Sequence, residues 1–181
     1  MKKIDPRIGK VLATRRQVAT AIKKLAEKLN KKFAGKKPIM IGIFSGAVPF
    51  FAKLSVSLDF DHEYEFIKCE SYSGTKRVKD VEIFWFKKRD LAGRDIILID
   101  AVFDTGHTVT AVIKMLKAWH AKSITTVSLC DKPDAREVRF TPDYTCFKFS
   151  KNDFLVGLGL DWNGTLRNLP YIGVLKKELQ G

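Results

Sequence analysis

Residues 95–115 read DIILIDAVFDTGHTVTAVIKM. Ile96, Ile97, Leu98 and Ile99 form an unbroken apolar run, the pattern of a strand covered on both faces of its sheet. Acidic residues follow at Asp100 and Asp104, and Thr105-Gly106-His107-Thr108 comes directly after them. Val109, Val112, Ile113 and Leu116 then take up helical spacing. A buried strand thus delivers two carboxylates to its C-terminal end, and a Thr/Gly turn opens a helix. The first N–H groups of that helix and the positive end of its dipole point outward, which makes a phosphate cradle beside a pair of acids. The competing reading is an ordinary strand–turn–helix unit in which Thr105 or Thr108 caps the helix.

At 181 residues and 45% apolar content, the chain is expected to fold as one compact domain with a sizeable core. Charged residues make up 29%, which excludes a disordered chain. No apolar run reaches the roughly 18–20 residues that span a bilayer, and the N-terminal stretch shows no apolar h-region of the kind expected in a signal peptide. Cys69, Cys130 and Cys146 are odd in number and lack metal-ligand spacing, as for reduced thiols in a cytoplasmic protein. The balance of 33 basic and 20 acidic residues gives a net charge of +13. Lys23, Lys24, Lys28, Lys31, Lys32, Lys36 and Lys37 lie on presumed helix faces and loops without interleaved aromatics. That pattern favours a solvated basic surface over a nucleic-acid site. A positive field also suits a polyanionic substrate.

Taken in order, residues 14–30 read as a helix with Val18, Ile22, Leu25 and Leu29 in one stripe and Thr14 as N-cap. Pro38 to Phe44 is a second buried strand. It ends at Ser45-Gly46-Ala47, and a helix follows through Phe50, Phe51 and Leu54. Glu63 to Ser71 alternates as a strand, Val81 to Phe86 returns, and residues 71–80 are the tip of a long hairpin, read as a lid that excludes water. Ser123 to Asp131 is a further strand, ending in Lys132-Pro133, and Tyr171 to Leu175 closes the chain. This alternation predicts an α/β fold, a mainly parallel twisted sheet with helices on both faces.

Asp100 to Thr108 resembles the ribose-5-phosphate signature of type I phosphoribosyltransferases: a hydrophobic strand, two adjacent acids, two apolar residues, then Asp-Thr-Gly-x-Thr. Ala101 stands here in place of the second adjacent acid. The resemblance extends over nearly the whole chain and points to the hypoxanthine-guanine branch. Residues 42–54 (GIFSGAVPFFAKL) resemble its pyrophosphate loop, 70–75 (ESYSGT) its flexible loop, 129–133 (LCDKP) its base-reading strand end, and 142–175 its C-terminal segment. It implies a small hood built from the N-terminal residues and about 147–181, completing a single domain over residues 1–181.

The resemblance also implies transfer of ribose 5-phosphate from 5-phosphoribosyl-1-pyrophosphate to hypoxanthine or guanine, with Mg²⁺, and a homodimer or homotetramer. By the same resemblance, Asp104 is the acid/base at the purine N7. Thr105, Gly106, His107 and Thr108 hold the 5-phosphate, and Asp100 holds the ribose and supports a metal. Lys132 donates to the purine O6, which selects against adenine because an amino group there is itself a donor. Phe154 stacks on the base, the Leu155 backbone reads its edge, and Ser45, Gly46 and Arg167 hold pyrophosphate. Ser71 and Tyr72 close the lid, and Asp161 binds Mg²⁺ largely through waters. Each of these has a plainer reading, among them Lys132 as an exposed strand-end lysine, Phe154 as a core aromatic and Asp161 as a turn former. Taken singly, Phe154 and Arg167 favour the plainer reading; together, in this order, the residues favour the functional one. Asp100 reaches one methylene less far than the more usual Glu, and Ser45 stands where relatives often carry Lys or Arg. A lost charge-assisted hydrogen bond costs on the order of 1.5–3 kcal/mol, so weaker use of the ribosyl donor is expected, without loss of the reaction. The alternative is a catalytically weak or inactive relative that binds nucleotide or RNA.

Overall fold

The computed structural model describes residues 4–71, 81–85 and 90–180, with the side chain of Ser71 outside that set. Strand β1 (Ile8–Ala13) leads into helix α1 (Arg15–Lys32), then β2 (Ile39–Phe44), α2 (Val48–Ser55), β3 (Glu63–Ser71), β4 (Val81–Trp85) and β5 (Asp95–Phe103). Helix α3 (His107–Ala118), β6 (Ser123–Asp131), β7 (Tyr144–Lys148), β8 (Leu155–Val156) and β9 (Ile172–Leu175) follow. The main sheet has six strands in the order β4-β3-β2-β5-β6-β7. Every pairing in it is parallel except β3 with β4.

Side-chain alternation along β2 and β5 builds both cores. Ile39, Ile41, Ile43, Ile96 and Leu98 face α3, where they meet Val109, Val112 and Leu116. Met40, Ile97, Ile99 and Ala101 face the opposite way, toward Val18, Ile22, Leu25 and Leu29 of α1 and Phe50, Phe51 and Leu54 of α2. Helix α1 begins in the capping box expected from its sequence: the Gln17 N–H donates to Thr14 Oγ1, and the Gln17 side chain accepts from the Thr14 N–H.

Strand β5 runs farther than its apolar core, through Phe103, so Asp100 and Ala101 are strand residues and not part of the turn after it. The pairing with β6 persists to Phe103↔Asp131 and carries the strand past the acid. A second sheet, in the order β1-β9-β8, joins the two ends of the chain. Val156, Leu166, Tyr171 and Leu175 pack beneath it with Ile8.

Candidate active site

Asp104 follows the C-terminal end of β5, and Lys132 follows the neighbouring end of β6. The parallel pairing of those strands brings the two together: Lys132 Nζ lies 3.6 Å from Asp104 Oδ2. Lys132 also donates its backbone N–H to the Phe103 carbonyl at 3.0 Å. Its side chain is 9% exposed while that of Asp104 is 48% exposed, so the lysine is buried up to its tip and the carboxylate opens to solvent. The exposed strand-end lysine is thereby corrected: partial burial aims this amine.

The Thr/Gly turn opens α3 without a side-chain cap. The N-cap is Gly106 at φ +92°, so neither Thr105 nor Thr108 caps the helix. A Cβ at Gly106 would lie 2.7 Å from Val138, and its positive φ disfavours a side chain there, so the tight turn needs glycine. Uncapped N–H groups in the first turn of a twelve-residue helix are the donors an anion uses. His107 sends its Nε2 to Glu137 Oε2 at 2.8 Å, which leaves its backbone N–H as the group available to a phosphate.

Arg136 is a residue the sequence reading passed over. One of its nitrogens donates to the Asp104 carbonyl and another pairs with buried Asp131. The Glu137 N–H donates to the Thr105 carbonyl at 2.9 Å. Residues 136–138 therefore brace the acid and its turn from behind. Nothing local in the sequence marks this, because the clamp joins two strand ends that only the sheet makes adjacent.

The other end of the site gathers residues from three distant segments. The Phe44–Ser45 peptide is cis, and Gly46 follows. A Cβ placed on Gly46 would sit 3.6 Å from Ala101 Cβ and 3.9 Å from Arg167 Nη1. Gly159, at φ +102°, approaches so closely that a Cβ there would fall 1.9 Å from the Gly46 carbonyl oxygen. Arg167 donates through Nη1 to the Gly159 carbonyl at 2.6 Å and pairs through Nη2 with Asp161 Oδ1 at 2.8 Å. Asp161 Oδ2 accepts the Gly164 N–H at 2.8 Å, so this carboxylate does form its turn and also anchors Arg167. Ala101 is 1% exposed beneath the loop.

Asp100 is part-buried, and its Oδ1 accepts the Ala101 N–H at 2.7 Å. Desolvation pushes its carboxyl up to about 7, against the pull of the Ala101 and Val102 N–H groups. Asp100 and Asp161 offer oxygen donors alone, the set a hard cation such as Mg²⁺ takes, and a cation would relieve the cost of ionising Asp100. Among the described residues, no three His, Cys, Asp or Glu converge in a cluster. Phe154 is 41% exposed, so it is not a core aromatic, whereas Leu155 is buried and paired with Val174. Tyr72 and the side chain of Ser71, the expected lid residues, lie outside the described residues.

The phosphoribosyl transferase domain matches residues 10–163. The chain belongs to the phosphoribosyltransferase family. It is 40% identical over 173 residues to a hypoxanthine-guanine phosphoribosyltransferase of Streptococcus pneumoniae, covering 95% of this chain and 96% of that one. A namesake from Streptococcus pyogenes is 38% identical over 177 residues, covering 97% of this chain and 98% of the relative. Among solved structures, a hypoxanthine phosphoribosyltransferase of Staphylococcus aureus superposes with a TM-score of 0.90 at 29% identity, over 97% of this chain and 95% of that chain. That of Trypanosoma cruzi reaches 0.92 at 26% identity, over 98% and 96%. Within the phosphoribosyltransferase family the chain falls in the hypoxanthine-guanine branch, and its fold is the type I fold of that family.

Proposed function

We propose that the protein moves ribose 5-phosphate from 5-phosphoribosyl-1-pyrophosphate to N9 of hypoxanthine or guanine, giving IMP or GMP and pyrophosphate. The carrying observation is the Asp104–Lys132 pair, 3.6 Å apart at the mouth of an uncapped helix N-terminus. In this reading the amides of Gly106, His107 and Thr108 and the hydroxyls of Thr105 and Thr108 receive the 5-phosphate. Asp104, facing the base, exchanges the proton at purine N7 while the N9–C1′ bond forms and the C1′–oxygen bond to pyrophosphate breaks. Its negative charge also favours the cationic character that develops at C1′. Lys132 donates to O6; adenine presents a donor there and leaves a nearly buried ammonium unmatched. Phe154 stacks on the base and the Leu155 backbone reads its edge.

Ser45, Gly46 and Arg167 hold the pyrophosphate end, and Ser71 with Tyr72 closes over it. Asp100 would take the ribose hydroxyls. Asp161 and Asp100 are the residues that would hold Mg²⁺, whose charge neutralises the departing pyrophosphate when bound. The protein acts in the cytoplasm as a homodimer or homotetramer, one domain with the β1-β9-β8 sheet as its hood.

A spectrophotometric assay with 5-phosphoribosyl-1-pyrophosphate, Mg²⁺ and each of hypoxanthine, guanine, xanthine and adenine tests this reading. Turnover with hypoxanthine or guanine and not adenine is expected. A folded protein that binds GMP but turns over no base would instead be a nucleotide-binding relative that lost the reaction with its second acid.

A further inference from the structure

A groove of about 880 Å³ runs between α1 and β7, and no residue assigned above to ribosyl transfer lines it. Among the described residues, strand β7 ends the six-stranded sheet with no further strand on its outer edge, and α1 lies alongside it. One flank of the helix presents Arg16, Lys24 and Lys28 to the groove, all exposed, and Lys148 faces them from the strand. The acidic residue of the same helix, Glu27, lines a different hollow. Two carboxylates reach the groove, and both are engaged: Asp131 pairs with Arg136, and Asp143 accepts the Thr126 N–H and Oγ1, each at 2.8 Å. Asp143 keeps its charge, since its partners are neutral, but Arg16, Lys24, Lys28 and Lys148 outnumber the two carboxylates and leave the groove net positive.

Between the cations, Tyr144 and Phe147 line the groove as part-buried rings. Lys32, outside the groove's own lining, places its Nζ over one face of the Tyr144 ring, 5.5 Å from the centroid. The sequence separates these aromatics from the lysine-rich helix by most of the chain; the fold sets them side by side.

We propose that this groove binds single-stranded nucleic acid. Lys24 and Lys28 are one helical turn apart, about 6 Å along the axis, a spacing that follows successive phosphates of an extended strand. Aromatic rings beside a cationic track are what unpaired bases stack on, without regard to sequence. A duplex keeps its bases away from such rings, and a folded acidic protein needs a broader face than the space between one helix and one strand edge. The net charge of +13 favours polyanion capture over a long range.

The test is fluorescence anisotropy of the full chain with a short fluorescein-labelled oligouridylate, at low and at physiological salt. The wild-type protein is expected to bind with a steep salt dependence. The double variant Lys24→Gln/Lys28→Gln should bind about tenfold or more weakly, with a salt slope shallower by about 1.4, since each single-strand phosphate contact contributes about 0.7. Its ribosyl-transfer turnover should be unchanged, which verifies its fold. Tyr144→Leu should weaken oligouridylate about fivefold to a hundredfold and leave labelled heparin, which has no bases, unaffected, while Tyr144→Phe should bind as wild type. No binding at low salt, or wild-type binding by the lysine variant, overturns the proposal. So does a Tyr144→Leu loss that is equal for heparin and oligouridylate, or absent for both.

Discussion

The two ends of the active site are built on different plans. At the base and 5-phosphate end, side chains at neighbouring strand exits find partners: Asp104 with Lys132 and His107 with Glu137 across the β5 and β6 exits, and Asp131 with Arg136 at the β6 exit. The acid and its turn are fixed from behind by Arg136 and the Glu137 N–H, so the reacting groups are preplaced before substrate arrives. At the pyrophosphate end, three remote segments meet through backbone contacts between glycines. Arg167 is committed to the protein through two nitrogens, on the Gly159 carbonyl and on Asp161. The one arrangement separates the reacting groups from their supports, while the other asks a single arginine to be both.

The sharpest break of that contrast is Asp104→Asn. It keeps the shape of the site and removes the proton acceptor, so turnover should fall at least about a hundredfold while GMP binding in calorimetry is retained. Unchanged turnover would remove Asp104 from the chemistry.

Arg136→Leu comes next. It leaves the Asp131 carboxylate buried without its partner and should cost about 3–5 kcal/mol in denaturant unfolding. Arg136→Lys, which keeps the charge but not the two-armed reach, should recover part of the stability and less of the turnover.

At the pyrophosphate end, Ala101→Asp places a carboxylate where the side chain is buried, with a destabilisation of about 1–3 kcal/mol. Gly46 lies against that position and Ser45 precedes it, so Ser45→Lys should offset part of the loss. A double-mutant cycle on unfolding should then give a favourable coupling of about 0.5–3 kcal/mol; simple additivity would separate the two departures.

The smallest effect is in the pH profile. The folded-state value for Asp100, about 7, lies above its ordinary 3.8, so the native state holds a proton that the unfolded state releases. Stability without metal is therefore greatest below 3.8 as far as this group is concerned and declines as pH rises through about 7. Thermal melts across that window should show the decline in wild type, and Asp100→Asn should flatten it.

Most of the main sheet was legible because its strands are long apolar runs with turn residues at their ends: Ile39–Phe44, Asp95–Phe103 and Ser123–Asp131 each announce themselves. Strands β1 and β7 did not. IGKVLA and YTCFK carry no clear alternation, and β1 is a strand because β9, from the other end of the chain, pairs with it. In the site, Asp104, Thr105, Gly106 and Lys132 could be named because each sits at a strand end beside a turn. Arg136 could not, since its carbonyl and carboxylate partners lie on two different strand exits.

The sequence by itself determined the α/β order, the strand–turn–helix unit that opens on a phosphate, and the residue types of the transferase, because periodicity and turn chemistry act over a few residues. Only the tertiary structure decided that Lys132 is buried to its tip beside Asp104, that Ala101 lies sealed under the Gly46 loop, and that lysines of α1 share a groove with Tyr144 and Phe147. Those relations depend on burial and on distances between remote segments, which the sheet register fixes and local sequence does not encode.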